Sequence, residues 1–167
     1  MTGNATFGVM LQTKTNDLTA TNEFRERVVK IEEKIREIDG VMVGKETEQV
    51  CPVEHRFEHG HYIRVARCIA GVLAVTKIHK VAHPFFFAEG EASVLTEDGV
   101  QRMKGPCFGI TKPGTKRVVY MHTDTVMVTV HKTELTDIDD AEAAIFAEDF
   151  SEIPEADMVE LLEGEDI

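Results

Sequence analysis

The sequence predicts a mainly β chain: a jelly roll or small barrel with a helical arm in front and an acidic, partly helical tail behind. Three observations carry this expectation. Short β-branched and aromatic segments separated by turn residues run from about residue 61 to residue 131 with no helical period between them. An apolar seam with spacings of 4, 3, 4 and 3 precedes them at Phe24, Val28, Ile31, Ile35 and Ile38. Fourteen Asp and Glu and no Lys or Arg follow them in residues 133–167.

The seam defines the first element. Asn22 can cap a helix that runs to Ile38 and stops before Gly40, a natural C′ residue. Glu, Lys and Arg fill its other faces, so the apolar stripe must bury against something. It packs on its own barrel or pairs with a second chain; the second choice makes the five seam residues an oligomer contact. The β segments follow near 61–67, 71–79, 84–89, 91–97, 99–104, 107–112, 116–121 and 125–131. Gly60, Gly71, Gly90, Gly105-Pro106 and Pro113-Gly114 punctuate them, and Asp98-Gly99 between two alternating runs signals a hairpin. The 3.6 period returns around Ala141–Ala147 and Met158–Leu162. Acids at this density resist compaction, yet Ile145, Phe146, Phe150 and Ile153 are apolar, which fits a tail that orders on a partner.

At 167 residues the chain can bury one core with extensions but not two full domains. The expected division is an arm and helix over 1–50, a barrel over 51–132 and the acidic tail over 133–167. The net charge of −12 places −14 in the tail and +2 in the rest. An acidic chain of this kind is a poor nucleic-acid binder. No apolar run approaches the ~18 residues of a membrane helix. Cys51, Cys68 and Cys107 are an odd set without paired spacing, so no disulfide framework is expected. With no signal-peptide blocks at the start, the expected location is the cytoplasm.

Two stretches carry a family resemblance. Thr76-Lys-Ile-His-Lys-Val-Ala-His-Pro-Phe-Phe-Phe-Ala-Glu-Gly-Glu91 has the shape of the first cupin motif, histidines and an acid ahead of a hairpin glycine. Gly105-Pro-Cys-Phe-Gly-Ile-Thr-Lys-Pro-Gly-Thr-Lys-Arg117 has the shape of the second, a Pro-Gly turn before another histidine. The run from Cys51 to Thr133 resembles the uncharacterised cupin-like proteins of tailed phages. The resemblance implies a cupin-like jelly-roll barrel, a dimer by analogy, and a metal site. Counting back from Gly90, the first motif's ligand positions fall on Lys77, His79 and His83, and the second motif's histidine falls on Arg117. Two of the four are cations, which repel a divalent metal. His79 and His83 remain as metal candidates. His122 is a third, although regular alternation puts it on the opposite face from Arg117, Val119 and Met121.

Other groupings point elsewhere. His55, His59 and His61 could clasp a metal on a helical turn, but Gly60 and charged neighbours suggest a solvated loop. Phe85-Phe86-Phe87 puts rings on both faces of a strand, one for the core and one for an arm or oligomer contact. Lys77, Lys116 and Arg117, with Lys112, could bind an anion at the barrel mouth or pair with Glu89, Glu91 or the tail. No nucleophile elbow or phosphate-cradling glycine loop is present. Together these features predict a non-catalytic oligomeric accessory or structural module, phage-encoded and part of a virion or its assembly, that pairs with copies of itself or other structural chains. The alternative is a metal-dependent cupin enzyme acting on a small molecule in the barrel. No cofactor is expected under the first reading and a divalent metal under the second.

Overall fold

The computed structural model describes residues 22–153. The seam forms α1 (Asn22–Arg36), and a 3-10 turn spans Gly44–Gln49. Ten strands follow: β1 (Val53–Glu58), β2 (His61–Cys68), β3 (Leu73–Val75), β4 (Ile78–His79), β5 (His83–Glu89), β6 (Glu91–Thr96), β7 (Gly99–Lys104), β8 (Cys107–Thr111), β9 (Val118–Met121) and β10 (Thr125–Lys132). Then come α2 (Ile138–Ile145), β11 (Phe146–Ala147) and a short 3-10 turn at Phe150–Glu152.

The strands make one sheet in the order β1-β2-β10-β5-β8 and another in the order β3-β9-β6-β7. All pairings are antiparallel. Without β1 and the separate β4–β11 pair, the eight remaining strands have the two-sheet connectivity of a jelly roll. The sheets do not close into a barrel, which corrects the barrel expected from sequence. β4, the continuation of β3, pairs on one side with β11 and on the other makes a single bridge from His79 to Thr115, ahead of β9. β1 was missed because Glu54–Glu58 alternates charged and half-buried positions at an edge. It folds back on β2 through His59 and Gly60, both at positive φ, as a two-residue hairpin of the primed kind requires.

Between the sheets lie Cys68, Phe87, Ala92 and Met121, flanked by Phe85, Met103, Val119 and Met127. On β5 and β10 the inward residues are His83, Phe85, Phe87 and Thr125, Met127, Thr129, His131, as alternation dictates. Cys51 and Cys68 are joined in a disulfide, contrary to the expectation of three unpaired thiols; Cys107 alone is free. The spacing rule failed because the pair is closed by the β1–β2 hairpin, and β1 carries no apolar run to announce it.

Helix α1 uses its seam within the chain. Phe24 and Val28 are buried against Leu95 and Val118, with Ile31 and Val75 packed beside them. This places the first part of the proposed oligomer contact inside the fold; Ile35 is half-buried and Ile38 is 59 % exposed. The helix also reaches the loop before β9. Lys116 Nζ meets Glu32 Oε2 at 2.5 Å, with both side chains mostly covered. Gly114 sits at φ +70° with Arg25 so close that a Cβ there would strike the guanidinium.

Residues 133–153 are no loose tail. Asp137 caps α2 by accepting from the backbone N–H of Asp139 and Asp140. Ala141, Ile145 and Phe146 then bury against Tyr62, while Ala147 and Ile153 bury against Ile78. The acids find bases of the same chain: Glu142 bridges Arg64 and Lys77, and Glu152 holds Lys80 at 2.7 Å. The expectation that the acidic segment orders only on a partner is corrected for these residues. Its Met158–Leu162 part lies outside the described residues.

Candidate functional site

The jelly roll encloses a cavity of about 210 Å³ between its two sheets. One end is apolar, walled by Phe85, Phe87, Met103, Met121 and Met127. The other end is polar, and four elements converge there. β4 brings His79, the start of β5 brings His83, β2 brings Arg64, and the loop before β9 brings Arg117. Phe146 of β11 closes the side, its ring edge-on to His79 at 5.1 Å between centroids. It is placed there by the backbone pairing of Phe146 with His79.

His83 and His79 pack ring to ring at 4.5 Å, and His131 of β10 stands behind His83 at 4.2 Å. His83 Nδ1 lies 3.1 Å from the Val81 carbonyl and His79 Nδ1 lies 3.4 Å from the Thr115 carbonyl. A carbonyl only accepts, so both rings carry their proton on Nδ1 and leave Nε2 as a lone pair. His83 is 2 % exposed and its Nε2 has no partner; the same holds for His131 Nδ1, in a residue 3 % exposed. Burial pushes His79 and His131 down to about 3, with the neighbouring His83 ring adding to it in both. His83 is lowered too, by burial first and then by the charges of Arg117 and Arg64. The three imidazoles are therefore neutral at ordinary pH.

The cations of this region divide sharply. Lys116 is held away from the cavity by Glu32 of α1. Lys77 is held by Glu142 at 2.8 Å and stacks over Phe146. Arg64 also meets Glu142, at 3.0 Å, and keeps one buried Nε without a partner. Arg117 differs from all of them. Its guanidinium lies over the Phe85 ring at 5.7 Å, and among the described residues no carboxylate or hydrogen-bond partner meets it. Burial alone lowers its pKa from the ordinary arginine range. Of the anion-binding trio expected from sequence, the structure turns only Arg117 into the cavity as an unpaired charge.

The residues do not fit the divalent metal that the cupin resemblance implies. Among the described residues, no group of three His, Cys, Asp or Glu side chains is arranged to hold an ion. No carboxylate or thiolate joins His79 and His83, and the cationic field that opposes their protonation opposes a dication equally. His122 lies outside the cavity, its Nε2 2.7 Å from Ser93 Oγ and its ring edge-on to Tyr120. The outer trio is also dispersed: His55 bonds the Tyr62 hydroxyl, His61 bonds the His59 carbonyl, and His59 meets Glu58.

No known family matches this chain, and no curated relative does. Among solved structures it is similar to ectoine synthase from P. lautus, with 16% identity over 66% of this chain and 79% of that one, at a TM-score of 0.46. It is similar to a cupin domain from Bordetella pertussis, with 12% identity over 50% of this chain and 94% of that one, at 0.41. The cupin domain of an XRE family transcriptional regulator from Enterobacter cloacae shows 10% identity over 49% and 95%, also at 0.41. Scores below 0.5 at such identities establish neither a family nor an activity.

Sequence reasoning missed His131, Arg64, Glu142 and Phe146. His131 had a readable signal, since it shares parity with Met127 and Thr129 on β10. Arg64 had one too, since it shares parity with Tyr62 and Cys68 on β2, whereas Glu142 and Phe146 arrive through the packing of α2 and β11 on β2 and β4, which no local pattern encodes.

Proposed function

We propose that this protein is a non-catalytic binding module that takes a small organic molecule between its sheets. The observation that carries the reading is the cavity's two-ended lining: aromatic and methionine walls at one end, and at the other His79, His83 with its unpartnered Nε2, and the Arg117 guanidinium, which meets no carboxylate among the described residues. Concave sites with apolar walls and a few convergent polar groups are where small ligands bind. Leaving such polar groups desolvated costs free energy unless a ligand satisfies them.

The metal-dependent enzyme loses support with its ligand set. The assembly role loses its two carriers, because the inner seam of α1 and the described acidic residues of α2 and its flanks are used within the chain. A phage origin draws nothing from the described residues.

Methionine methyl groups test the cavity reading. Met103, Met121 and Met127 line the cavity, whereas Met42 lies far along the chain in an exposed position. In protein labelled with 13C at methionine methyls, small fragments should shift the three cavity signals in a saturable way and leave Met42 in place. A diverse fragment set that moves none of the three would refute it.

A further inference from the structure

We infer that the ligand is a small 2-hydroxy carboxylate with a short apolar side chain, its carboxylate on Arg117 and its hydroxyl donated to the histidine lone pairs. This deepens the binding reading above and rests on it. Each part of the assignment answers one feature of the cavity.

The carboxylate answers Arg117. Guanidinium is planar, cannot be deprotonated in a protein and pairs bidentately with carboxylates. Every other cation lining this end already has Glu142 as partner, so Arg117 is the group left to recognise an anion. The charge balance agrees: Arg64, Lys77 and Arg117 face the single carboxylate of Glu142, and the histidines add no charge.

The hydroxyl answers the imidazoles. With Nδ1–H committed to the Val81 and Thr115 carbonyls, His83 and His79 offer acceptors. The ligand must therefore bring a donor close to its carboxylate. An ammonium would supply donors but would add positive charge beside three cations, so a neutral hydroxyl is preferred over an amine. The apolar side chain answers the Phe85, Phe87, Met121 and Met127 walls.

The histidine lone pairs could also receive a metal, so the test uses chelator-treated protein. The probe is 2-hydroxy-4-methylpentanoate, compared with its primary amide and with 4-methylpentanoate, and read by calorimetry and the methionine methyl signals. The hydroxy acid should bind at least tenfold tighter than either analogue. R117Q should lose at least tenfold affinity for the acid and leave the weak amide unchanged. R117K should recover part of the loss. K104Q, which alters an exposed side chain paired with Glu91, should behave as the parent. Melting curves on each variant separate misfolding from lost contact.

Equal affinity for acid and amide, or indifference to R117Q, would overturn the carboxylate assignment. Equal affinity for the hydroxy and deoxy acids would overturn the hydroxyl. Binding that appears only after a divalent metal is restored would overturn the whole assignment in favour of a metal centre. If the hydroxy acid fails while neutral apolar fragments still move the cavity methionines, the assignment falls and the binding reading stands.

Discussion

The chain's seven histidines fall into two groups that share a side chain and little else. His55, His59, His61 and His122 lie outside the cavity, and each ring nitrogen described there meets a hydroxyl, a carbonyl or a carboxylate. His79, His83 and His131 are packed against one another with two arginines nearby, and among the described residues none of the three pairs with an acid. Burial there keeps the rings neutral, and two of their nitrogens are left without partners. The contrast teaches how the site is made: the neutral rings act as acceptors and a single unpaired guanidinium supplies the charge. That combination is a poor bed for a dication and a good one for an anion carrying a donor.

The comparison depends on the cover that keeps the inner group dry. Phe146 forms that cover, buried at 8 % exposure against His79, Arg64 and Lys77. Phe146→Ala should cost about 3–5 kcal/mol in denaturant unfolding. Ending the chain at Lys132 removes Ala141, Ile145, Phe146, Ala147 and Ile153 together and should abolish cooperative folding. A truncated protein that melts like the parent would show that the segment is not part of the body.

Acid should expose the inner group next. His79 and His131 titrate near 3 in the fold and near 6.5 when unfolded. Between those values the unfolded chain holds protons that the native chain refuses, so stability is full above about 6.5 and falls as pH drops. Each group contributes at most about 1.4 kcal/mol per pH unit, so the loss by pH 5 is on the order of 2–4 kcal/mol. Urea midpoints measured from pH 8 to pH 4 check the slope. A flat profile between 6.5 and 5 would mean that the rings protonate freely in the native state.

Neighbours in sequence sharpen the comparison further. Arg117→Met removes a buried charge that has no anionic partner among the described residues and should raise stability by about 1 kcal/mol. Lys116→Met leaves Glu32 with only Arg36 and should lower it by about 1–3 kcal/mol. Opposite signs from adjacent residues, read from melting curves, would confirm that one cation is structural and the other is held for a ligand. Smallest of all, Ile38→Asp at the exposed end of the α1 seam should change stability by less than about 0.5 kcal/mol. A fall in particle mass with that variant would place a contact between copies at this end of the helix.

How legible was this in the sequence? The strands between His61 and Lys132 were, because alternation and turn glycines are local, and so was the helix seam. The parity that excluded His122 from the face of Arg117 was equally local. The disulfide, the open sandwich and the role of the acidic segment were not. The disulfide needed β1, whose charged alternation hid the hairpin it makes with β2, and the placing of Phe146 needed β11 to meet the distant β4. The same long-range pairing decided which of Lys77, Lys116 and Arg117 would remain without an acid. Spacing could place these cations near one another but could not place Glu32 and Glu142.

A crystal structure of the chelator-treated protein soaked with 2-hydroxy-4-methylpentanoate would show directly what the cavity holds. The account predicts ligand density between the sheets, its carboxylate within hydrogen-bond distance of Arg117, its hydroxyl on His79 or His83 and its isobutyl group against the Phe87 and Met121 end. A cavity that holds only water at saturating ligand, with Arg117 paired to an acid of its own chain, would contradict it.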